Sequence, residues 1–260
     1  MVMLRYRYLF EQMVRRELRS KYKGTVLGVL WYLVNPLVLM AVYAVMFGVL
    51  LDAVQIDDYP LFLFLGLIVW TFFSQSLLAS ATSLVEQTSL VSKVRFPRET
   101  VPAAVVSVQL VPFLVLLAIV APVAVVIRGT LDPALLLLAP IVACLYAFAL
   151  GLGLMASVAH AYFRDVQPVL GAALLPWFFL TPIFFRIEDL PGLAGHDTAE
   201  ALLRWGNPVA PFIEAVRAVL YSGEAPRGAT LLYVGAATVL ALGAGRTVFR
   251  RFEGELAVVL

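Results

Sequence analysis

Apolar residues fall into six long stretches along the chain, separated by short polar segments. The stretches cover about residues 26–51, 61–84, 101–127, 135–159, 167–185 and 229–247. A helix of about 20 residues crosses the hydrocarbon core of a bilayer, because each residue adds about 1.5 Å. The pattern therefore predicts six membrane-spanning helices. The last two are the least regular, because they are short and interrupted by Pro176, Pro182, Gly235, Gly243 and Gly245.

A different periodicity precedes the first stretch. Within residues 4–19, apolar side chains recur at helical spacing with charged and polar residues between them, at Leu9, Phe10, Met13, Val14 and Leu18. This pattern predicts an amphipathic helix in the membrane interface, with its basic face towards anionic headgroups. We assign residues 1–24 to that interface helix. Residues 25–260 form a single transmembrane domain, because no polar stretch is long enough for a second one.

The amino-acid composition also indicates a protein that is embedded in lipid. Of the 260 residues, 62% are hydrophobic and 14% are charged, whereas soluble domains have about 45–50% apolar and about 25% charged residues. The fold class predicted is an all-α membrane protein with six transmembrane helices.

Lysine and arginine are unevenly distributed over the two sides that six spans define. With a cytoplasmic N-terminus, the inner side carries fourteen of them: Arg5, Arg7, Arg15, Arg16, Arg19, Lys21, Lys23, Lys93, Arg95, Arg98, Arg164, Arg246, Arg250 and Arg251. The outer side carries five: Arg128, Arg186, Arg204, Arg217 and Arg227. The positive-inside rule therefore predicts that both termini are cytoplasmic.

The spans offer little for catalysis. No Asp, Glu, Lys or Arg lies well inside any of them, whereas ion-driven carriers and intramembrane enzymes usually need such groups or metal ligands there. His160 and His196 fall on opposite sides of the membrane, and Cys144 is the single cysteine. A zinc site or a Ser–His relay is therefore not expected. We predict that the chain is not an enzyme.

The sequence gives no support for nucleotide binding by this chain. The segment GLGLMA, residues 151–156, has the spacing of a dinucleotide fingerprint, but it lies inside a predicted span rather than between a strand and a helix. Small residues there favour close helix packing. No phosphate-binding loop of the form G-x-x-x-x-G-K-[ST] occurs, so we expect no cofactor in this chain.

Two cytoplasmic segments suggest contacts with partners. The run RRELRSKYKGTVLG begins at Arg15 and gathers positive charge directly before the first span. The loop VEQTSLVSKVRFPRETVP, residues 85–102, has apolar and charged residues that fit a short amphipathic helix ended by Pro97. Such a helix, held away from lipid, suits docking on another protein. For both segments, a role in fixing topology alone stays open.

The ordered set of these pieces resembles the type-2 ABC exporter permeases, and more narrowly those that export O-antigen, teichoic acid or capsular polysaccharide. The pieces are RSKYKGTVLGVLWYLVNPLVLM, then LVSKVRFPRE after the second span, then AYFRDV after the fourth. The resemblance covers nearly the whole chain. It implies a bacterial inner-membrane protein that works as a homodimer with two copies of a separate ATPase subunit, which binds ATP and magnesium.

The resemblance also implies roles for particular residues. The coupling helix that fits a cleft on the ATPase corresponds to Leu90, Val91, Lys93, Val94, Arg95, Phe96, Pro97 and Arg98. The region near the ATPase and the substrate entry corresponds to Tyr22, Lys23, Gly24, Leu27 and Gly28. The inner loop after span four corresponds to residues 162–165. The outer region 186–228, with WGNPVAPF, resembles a loop that dips back into the membrane as short gating helices.

Lysine and arginine are suited to holding phosphates at the interface. The basic run, which includes Arg15, Arg16, Arg19 and Lys21, is therefore a candidate guide for a polyprenyl-diphosphate headgroup. General attraction to anionic lipid needs the same residues, so both interpretations stay open. Trp70, Phe72 and Phe73 are the preferred candidates for a glycan conduit, because the polar residues 74–76 follow them. Aromatic residues also pack between helices and mark membrane interfaces.

The sequence thus predicts the membrane subunit of an ATP-driven exporter for a lipid-linked polysaccharide, with no role in nucleic-acid binding. Two alternatives remain. One is a type-2 permease for a small drug or lipid. The other is a non-transporting membrane enzyme of envelope assembly. Such an enzyme needs acidic catalytic residues at an interface, and the adjacent pair Asp57 and Asp58 falls on the outer side.

Overall fold

The computed structural model describes residues 7–22, 31–50, 56–93, 96–189 and 197–256. Its regular structure over these residues is entirely helical. The α-helices are α1 (Arg7–Tyr22), α2 (Trp31–Tyr43), α3 (Tyr59–Glu86), α4 (Thr88–Lys93), α5 (Thr100–Arg128), α6 (Leu138–Tyr162), α7 (Val166–Leu180), α8 (Asp197–Trp205), α9 (Ala210–Arg217) and α10 (Gly228–Phe252). Two π-helical segments, Ala44–Leu50 and Ala218–Ser222, continue α2 and α9.

Four helices of the described chain are long and apolar enough to cross a membrane: Tyr59–Glu86, Thr100–Arg128, Pro133–Tyr162 and Gly228–Phe252. They coincide with the second, third, fourth and sixth predicted spans. The first and fifth predicted spans coincide with shorter apolar helices, Val34–Gly48 and Val166–Leu180. Part of the first stretch, residues 26–30 and 51, lies outside the described residues.

The fifth stretch is shorter than its hydrophobicity predicts because of Pro182. The proline ring disfavours helical geometry at the residue before it, and Thr181 is extended with ψ 137°. Helix α7 therefore ends at Leu180, five residues before the end of the predicted span. The backbone carbonyls of the following turn have no helical partners and must be satisfied elsewhere.

Helix α3 forms the centre of the bundle. In its most apolar 18-residue window 78% of the residues are buried, compared with 28–39% in the other three long helices. It contacts α2, α5, α6, α7 and α9. Lipid or a partner must therefore cover the outer helices, whereas α3 is covered by this chain alone.

Helices α6 and α10 cross with their backbones in contact. A Cβ atom added to Gly245 would overlap the carbonyl of Gly151, and one added to Gly151 would overlap the backbone of Ala241. The interpretation of GLGLMA as a helix-packing segment is confirmed, because a side chain at either glycine would push the two helices apart.

The bundle has two ends. We call the basic end the one that carries α1, α4, the turn after α6 and the end of α10. The other, the opposite end, carries the start of α3, the end of α5 and the described residues 181–189 and 197–227. That the basic end faces the cytoplasm stays a prediction of the positive-inside count.

Candidate functional site

Helix α1 is attached to the bundle by one face. Met13 is buried, and Leu9, Phe10 and Val14 pack against the core, mainly beside α5. Arg16 and Arg19 are exposed, and Arg15 pairs with Glu11 at 2.6 Å. The apolar face of α1 is thus occupied by this chain, and its basic face is open to other groups. Its position in a membrane interface stays a prediction.

The end of α1 makes polar contacts with the bundle. The Lys21 ammonium donates to the side-chain oxygen of Gln109 at 2.8 Å, and the Gln87 amide donates to Glu17 at 2.7 Å. Loss of water around the ammonium lowers the pKa of Lys21 to about 8, although the negative charge of Glu17 opposes the shift. Lysine has a reference pKa of about 10.4. Tyr22 is the last residue of α1, and the predicted site residues Lys23, Gly24, Leu27 and Gly28 lie outside the described residues.

The predicted coupling segment is only partly helical. Helix α4 ends at Lys93, before Pro97, and holds Leu90, Val91 and Lys93. Val94 and Arg95 lie outside the described residues, as do the side chains of Val91 and Lys93. Leu90 packs against the core and Phe96 is buried in it. In this structure Phe96 therefore does not present a free docking surface, and its role in contacting an ATPase stays a prediction. This ring instead anchors the segment to the bundle.

Three pairs of residues link this segment and the turn after α6 to the end of α10. The backbone N–H of Arg98 donates to the Glu253 carboxylate at 3.2 Å, and its guanidinium donates to the Glu253 carbonyl. Glu99 lies 4.0 Å from the guanidinium of Arg246. The Tyr162 hydroxyl donates to Glu255 at 2.8 Å. We call this set of contacts the C-terminal brace. The predicted coupling segment is therefore joined directly to the end of α10.

The opposite end is organised around one buried cation. The Arg217 guanidinium donates to three backbone carbonyls, those of Phe62 at 3.1 Å, Pro182 at 2.6 Å and Ile183 at 2.7 Å. It also lies 3.4 Å from the centroid of the Phe62 ring. The carbonyls freed where α7 ends are thus satisfied by α9. A Cβ at Gly66 would come within 2.6 Å of this guanidinium, so α3 leaves room for it.

Asn207, from the segment WGNPVAPF, ties the same elements together. Its side-chain oxygen accepts from the Trp177 indole at 3.0 Å and from the backbone of Val209 at 3.1 Å. Its amide donates to the Thr181 hydroxyl at 2.8 Å. Helix α9 is almost fully buried, with Phe212, Ala215 and Val216 at zero exposure. In the hairpin formed by α8 and α9, α9 is therefore built into the protomer, whereas α8 stays partly exposed.

The three aromatic residues predicted to line a conduit lie in the core of the protomer. Trp70, Phe72 and Phe73 are buried. Phe73 stacks against Phe148, and Phe72 stacks against Phe113. In this structure the rings fill the space between helices.

Sequence reasoning missed the most constrained functional candidates. Arg217 was counted only as an outer-side charge, and Arg98 only as a member of the coupling helix. One signal was present for Arg217: it lies among apolar residues in PFIEAVRAVL. A lone arginine in such a run requires acceptors, although the sequence does not say which.

A helical bundle with several membrane-crossing helices, and with a partly open basic surface at one end, has the architecture of a membrane permease. A family model described as "ABC-2 type transporter" matches residues 8–221. The chain belongs to this family.

Its similarity to curated relatives extends over nearly its full length. It is 30% identical over 253 residues to the O-antigen export system permease protein RfbA of Myxococcus xanthus, covering 97% of this chain and 95% of that protein. It is 30% identical over 190 residues to an O-antigen export system permease protein RfbA of Klebsiella pneumoniae, with 71% and 72% covered. It is 25% identical over 246 residues to a polysialic acid transport protein KpsM of Escherichia coli, with 94% and 93% covered.

Proposed function

We propose that this chain is the membrane subunit of an ATP-driven exporter that moves a lipid-linked polysaccharide across the cytoplasmic membrane. Two copies assemble with two copies of an ATPase subunit, which holds ATP and magnesium. Six segments cross the membrane, with α2 and α7 as the first and fifth. The family membership and the O-antigen export relatives support this function more strongly than any single feature of the site.

The basic end supplies the surface that the ATPase subunit contacts. The coupling segment lies beside α1 through the Gln87–Glu17 contact and beside α10 through the C-terminal brace. Movement of the ATPase therefore reaches two separate parts of the bundle. The chain itself has no phosphate-binding loop, so hydrolysis is assigned to the partner.

The exposed basic face of α1 receives the carrier headgroup. Arg16 and Arg19 are exposed and have no carboxylate within 4.0 Å among the described residues. Arginine binds phosphate oxygens in a bidentate manner. A diphosphate at the interface therefore has free donors here.

The test is export in the host strain. Deletion of this chain should remove its polysaccharide from the cell surface and leave the lipid-linked form at the cytoplasmic face. The chain supplied from a plasmid should restore export, but not when the ATPase partner carries an inactivated hydrolysis site. Normal surface polysaccharide in the deletion strain would exclude the proposed substrate and favour a small drug or lipid.

Orientation has its own test. In a Cys144→Ala background, Asp57→Cys at the opposite end should react with an impermeant thiol reagent added to intact cells. Ser89→Cys in α4 should react only after the membrane is opened. Both positions are exposed in the protomer. Labelling of Ser89→Cys in intact cells would reverse the orientation.

A further inference from the structure

The opposite end contains a cavity of about 480 Å³ between the end of α7 and α9. This volume is within the range of small-molecule sites, which is about 300–1,000 Å³. Four arginines line the cavity, together with four carboxylates: Arg186, Arg204, Arg217, Arg227, Glu188, Asp189, Glu214 and Glu224. Nothing described so far uses this space.

The pairing of these charges is incomplete. Arg204 pairs with Glu188 at 2.5 Å and with Glu200 at 3.2 Å, and Arg227 lies 3.9 Å from Glu214. No described carboxylate lies within 4.0 Å of Arg186 or Arg217. The Asp57 and Asp58 side chains, which lie near Tyr221, are also beyond that distance. Asp189 and Glu224 are exposed to water.

The two guanidiniums without a carboxylate partner among the described residues, those of Arg186 and Arg217, both lie near the ring of Phe62. The Arg217 guanidinium carbon lies 3.4 Å from the centroid of Phe62, and that of Arg186 lies 5.7 Å from it. Arg217 is 8% exposed and its nitrogens already donate to three carbonyls. Carbonyls satisfy its N–H groups but do not neutralise its charge. Two like charges held close in a partly buried site are unfavourable unless an anion joins them.

Two further donors are available in the same cavity. Arg186 makes a single side-chain hydrogen bond among the described residues, to the Tyr221 hydroxyl at 3.2 Å. The Nε of Arg204 is buried and has no hydrogen-bond partner among them. A buried donor without a partner is costly, and an anionic ligand would satisfy it.

We propose that this cavity binds an anionic sugar unit through the carboxylate of that sugar. Arg186 is the main hydrogen-bond donor to the carboxylate, and the buried positive charge of Arg217 adds electrostatic attraction. A carboxylate matches the planar fork of a guanidinium. The cavity is larger than a bare anion needs, and its remaining polar walls suit hydroxyl groups. The sugar part of the proposal rests on the proposed function, because an exported glycan would meet this cavity at the side where it leaves.

The test uses the purified full-length chain in lipid nanodiscs, without the ATPase, so that it does not depend on export. The probes are glucuronate, glucose and inorganic phosphate, followed by ligand-observed NMR titration. Glucuronate should bind more tightly than glucose and phosphate. Arg186→Gln should weaken glucuronate binding about tenfold or more, as expected for the loss of a charge-assisted hydrogen bond.

Three control variants separate charge from fold. Arg186→Lys keeps the positive charge but loses the planar guanidinium that binds a carboxylate through two N–H groups, so the affinity for glucuronate should be intermediate. Tyr221→Phe removes the hydroxyl that accepts from Arg186 but keeps both guanidiniums, so the ligand retains its cationic partners and binding should remain within about threefold. Arg250→Gln, exposed at the basic end, should leave binding unchanged.

Several results would overturn the proposal. Equal binding of glucose and glucuronate would exclude an anion site, as would glucuronate binding that Arg186→Gln leaves intact. A loss in Tyr221→Phe as large as in Arg186→Gln would show that disturbance of the loop, not charge, controls binding. Phosphate binding as tight as glucuronate binding would reject the saccharide and leave a site for a simple anion. None of these results bears on whether the chain exports polysaccharide.

Discussion

The two ends of this bundle are held together by different kinds of interaction. At the opposite end, the buried Arg217 guanidinium and the Asn207 amide connect α3, α7 and α9 through hydrogen bonds shielded from water. At the basic end, the links are between partly exposed groups, such as Arg98 with Glu253 and Glu99 with Arg246. Buried charged hydrogen bonds are costly to break, whereas exposed ion pairs contribute about 0–1 kcal/mol.

The difference indicates where this protein is able to move. Contacts of low energy open locally more often than buried networks do. The basic end contains the segments proposed to contact an ATPase subunit, and its links are weak enough to rearrange under such a contact. The hairpin at the opposite end is fixed to the central helix, so motion there requires α3 and α9 to move together.

The strongest test of this contrast is Arg217→Met. It removes the hydrogen bonds to three buried carbonyls and should lower the free energy of unfolding by about 3 kcal/mol or more, because hydrogen bonds to charged groups contribute about 1.5–3 kcal/mol each. The measurement is the thermal unfolding midpoint of the purified protein in detergent.

Arg227→Met is the matched control at the same end, because its side chain is 67% exposed. Its unfolding midpoint should stay close to that of the unmodified chain. If both variants unfold at the same temperature, the buried network does not stabilise the opposite end and the contrast is lost.

Local pattern predicted much of this fold, because hydrophobic runs and small-residue spacing are properties of neighbouring residues. The long helices and the packing role of Gly151 follow from such patterns. The partners of Arg217 do not, since Phe62 is 155 residues away in sequence.

Trp70 and Phe73 were predicted to line a conduit because aromatic composition does not distinguish a core from a pore. The burial of Phe96 was missed for a similar reason: an apolar residue in a short polar loop fits docking and anchoring equally well.

The next largest effect is expected for Gly245→Ala, at the α6–α10 crossing. The added methyl overlaps the Gly151 carbonyl, and overpacking of this kind costs about 1–3 kcal/mol. Gly243→Ala is an internal control on the same helix, because nothing lies within 4 Å of its added methyl. That change should be neutral or stabilise by up to about 1 kcal/mol, because alanine favours helix more than glycine does.

Thermal unfolding of the two glycine variants gives the comparison directly. A midpoint for Gly245→Ala equal to or above that of Gly243→Ala would mean that the helices separate at little cost. The close backbone contact would then have no role in holding the basic half of the bundle together.

A smaller change in stability is expected for Glu253→Gln, in the C-terminal brace. Its contact with Arg98 is partly exposed, so the free energy of unfolding should change by less than about 1 kcal/mol. Coupling should change more, because the brace joins the coupling segment to α10. The measurement is substrate-stimulated ATP hydrolysis by the reconstituted complex.

A double variant tests whether the link itself matters. Each of the two side chains binds the backbone of the other residue: the Glu253 carboxylate accepts from the Arg98 N–H, and the Arg98 guanidinium donates to the Glu253 carbonyl. Arg98→Gln with Glu253→Gln therefore weakens both contacts of one junction, and its loss of coupling should exceed that of either change alone. Unchanged hydrolysis in the double variant would remove the brace from the coupling path.

The smallest effect on the fold is expected where α1 is open to its surroundings. Changing Arg15, Arg16 and Arg19 together to Gln removes one exposed ion pair, Arg15 with Glu11, and leaves the apolar face of α1 in place. Unfolding and membrane orientation should be nearly unchanged. Export of the lipid-linked glycan should fall at matched protein levels, since each interfacial cation contributes about 1 kcal/mol of attraction to an anionic surface.

The matching triple change to Lys separates the two interpretations of this basic face. It keeps all three charges but removes the bidentate geometry of arginine. If general attraction to anionic lipid is sufficient, the Lys variant should export normally while the Gln variant does not. If the face recognises a diphosphate headgroup, both variants should lose export, the Gln variant more severely. Normal export by the Gln variant would leave these three arginines with a role in membrane topology only. Topology itself should survive the change, because the remaining cations at the basic end still satisfy the positive-inside rule.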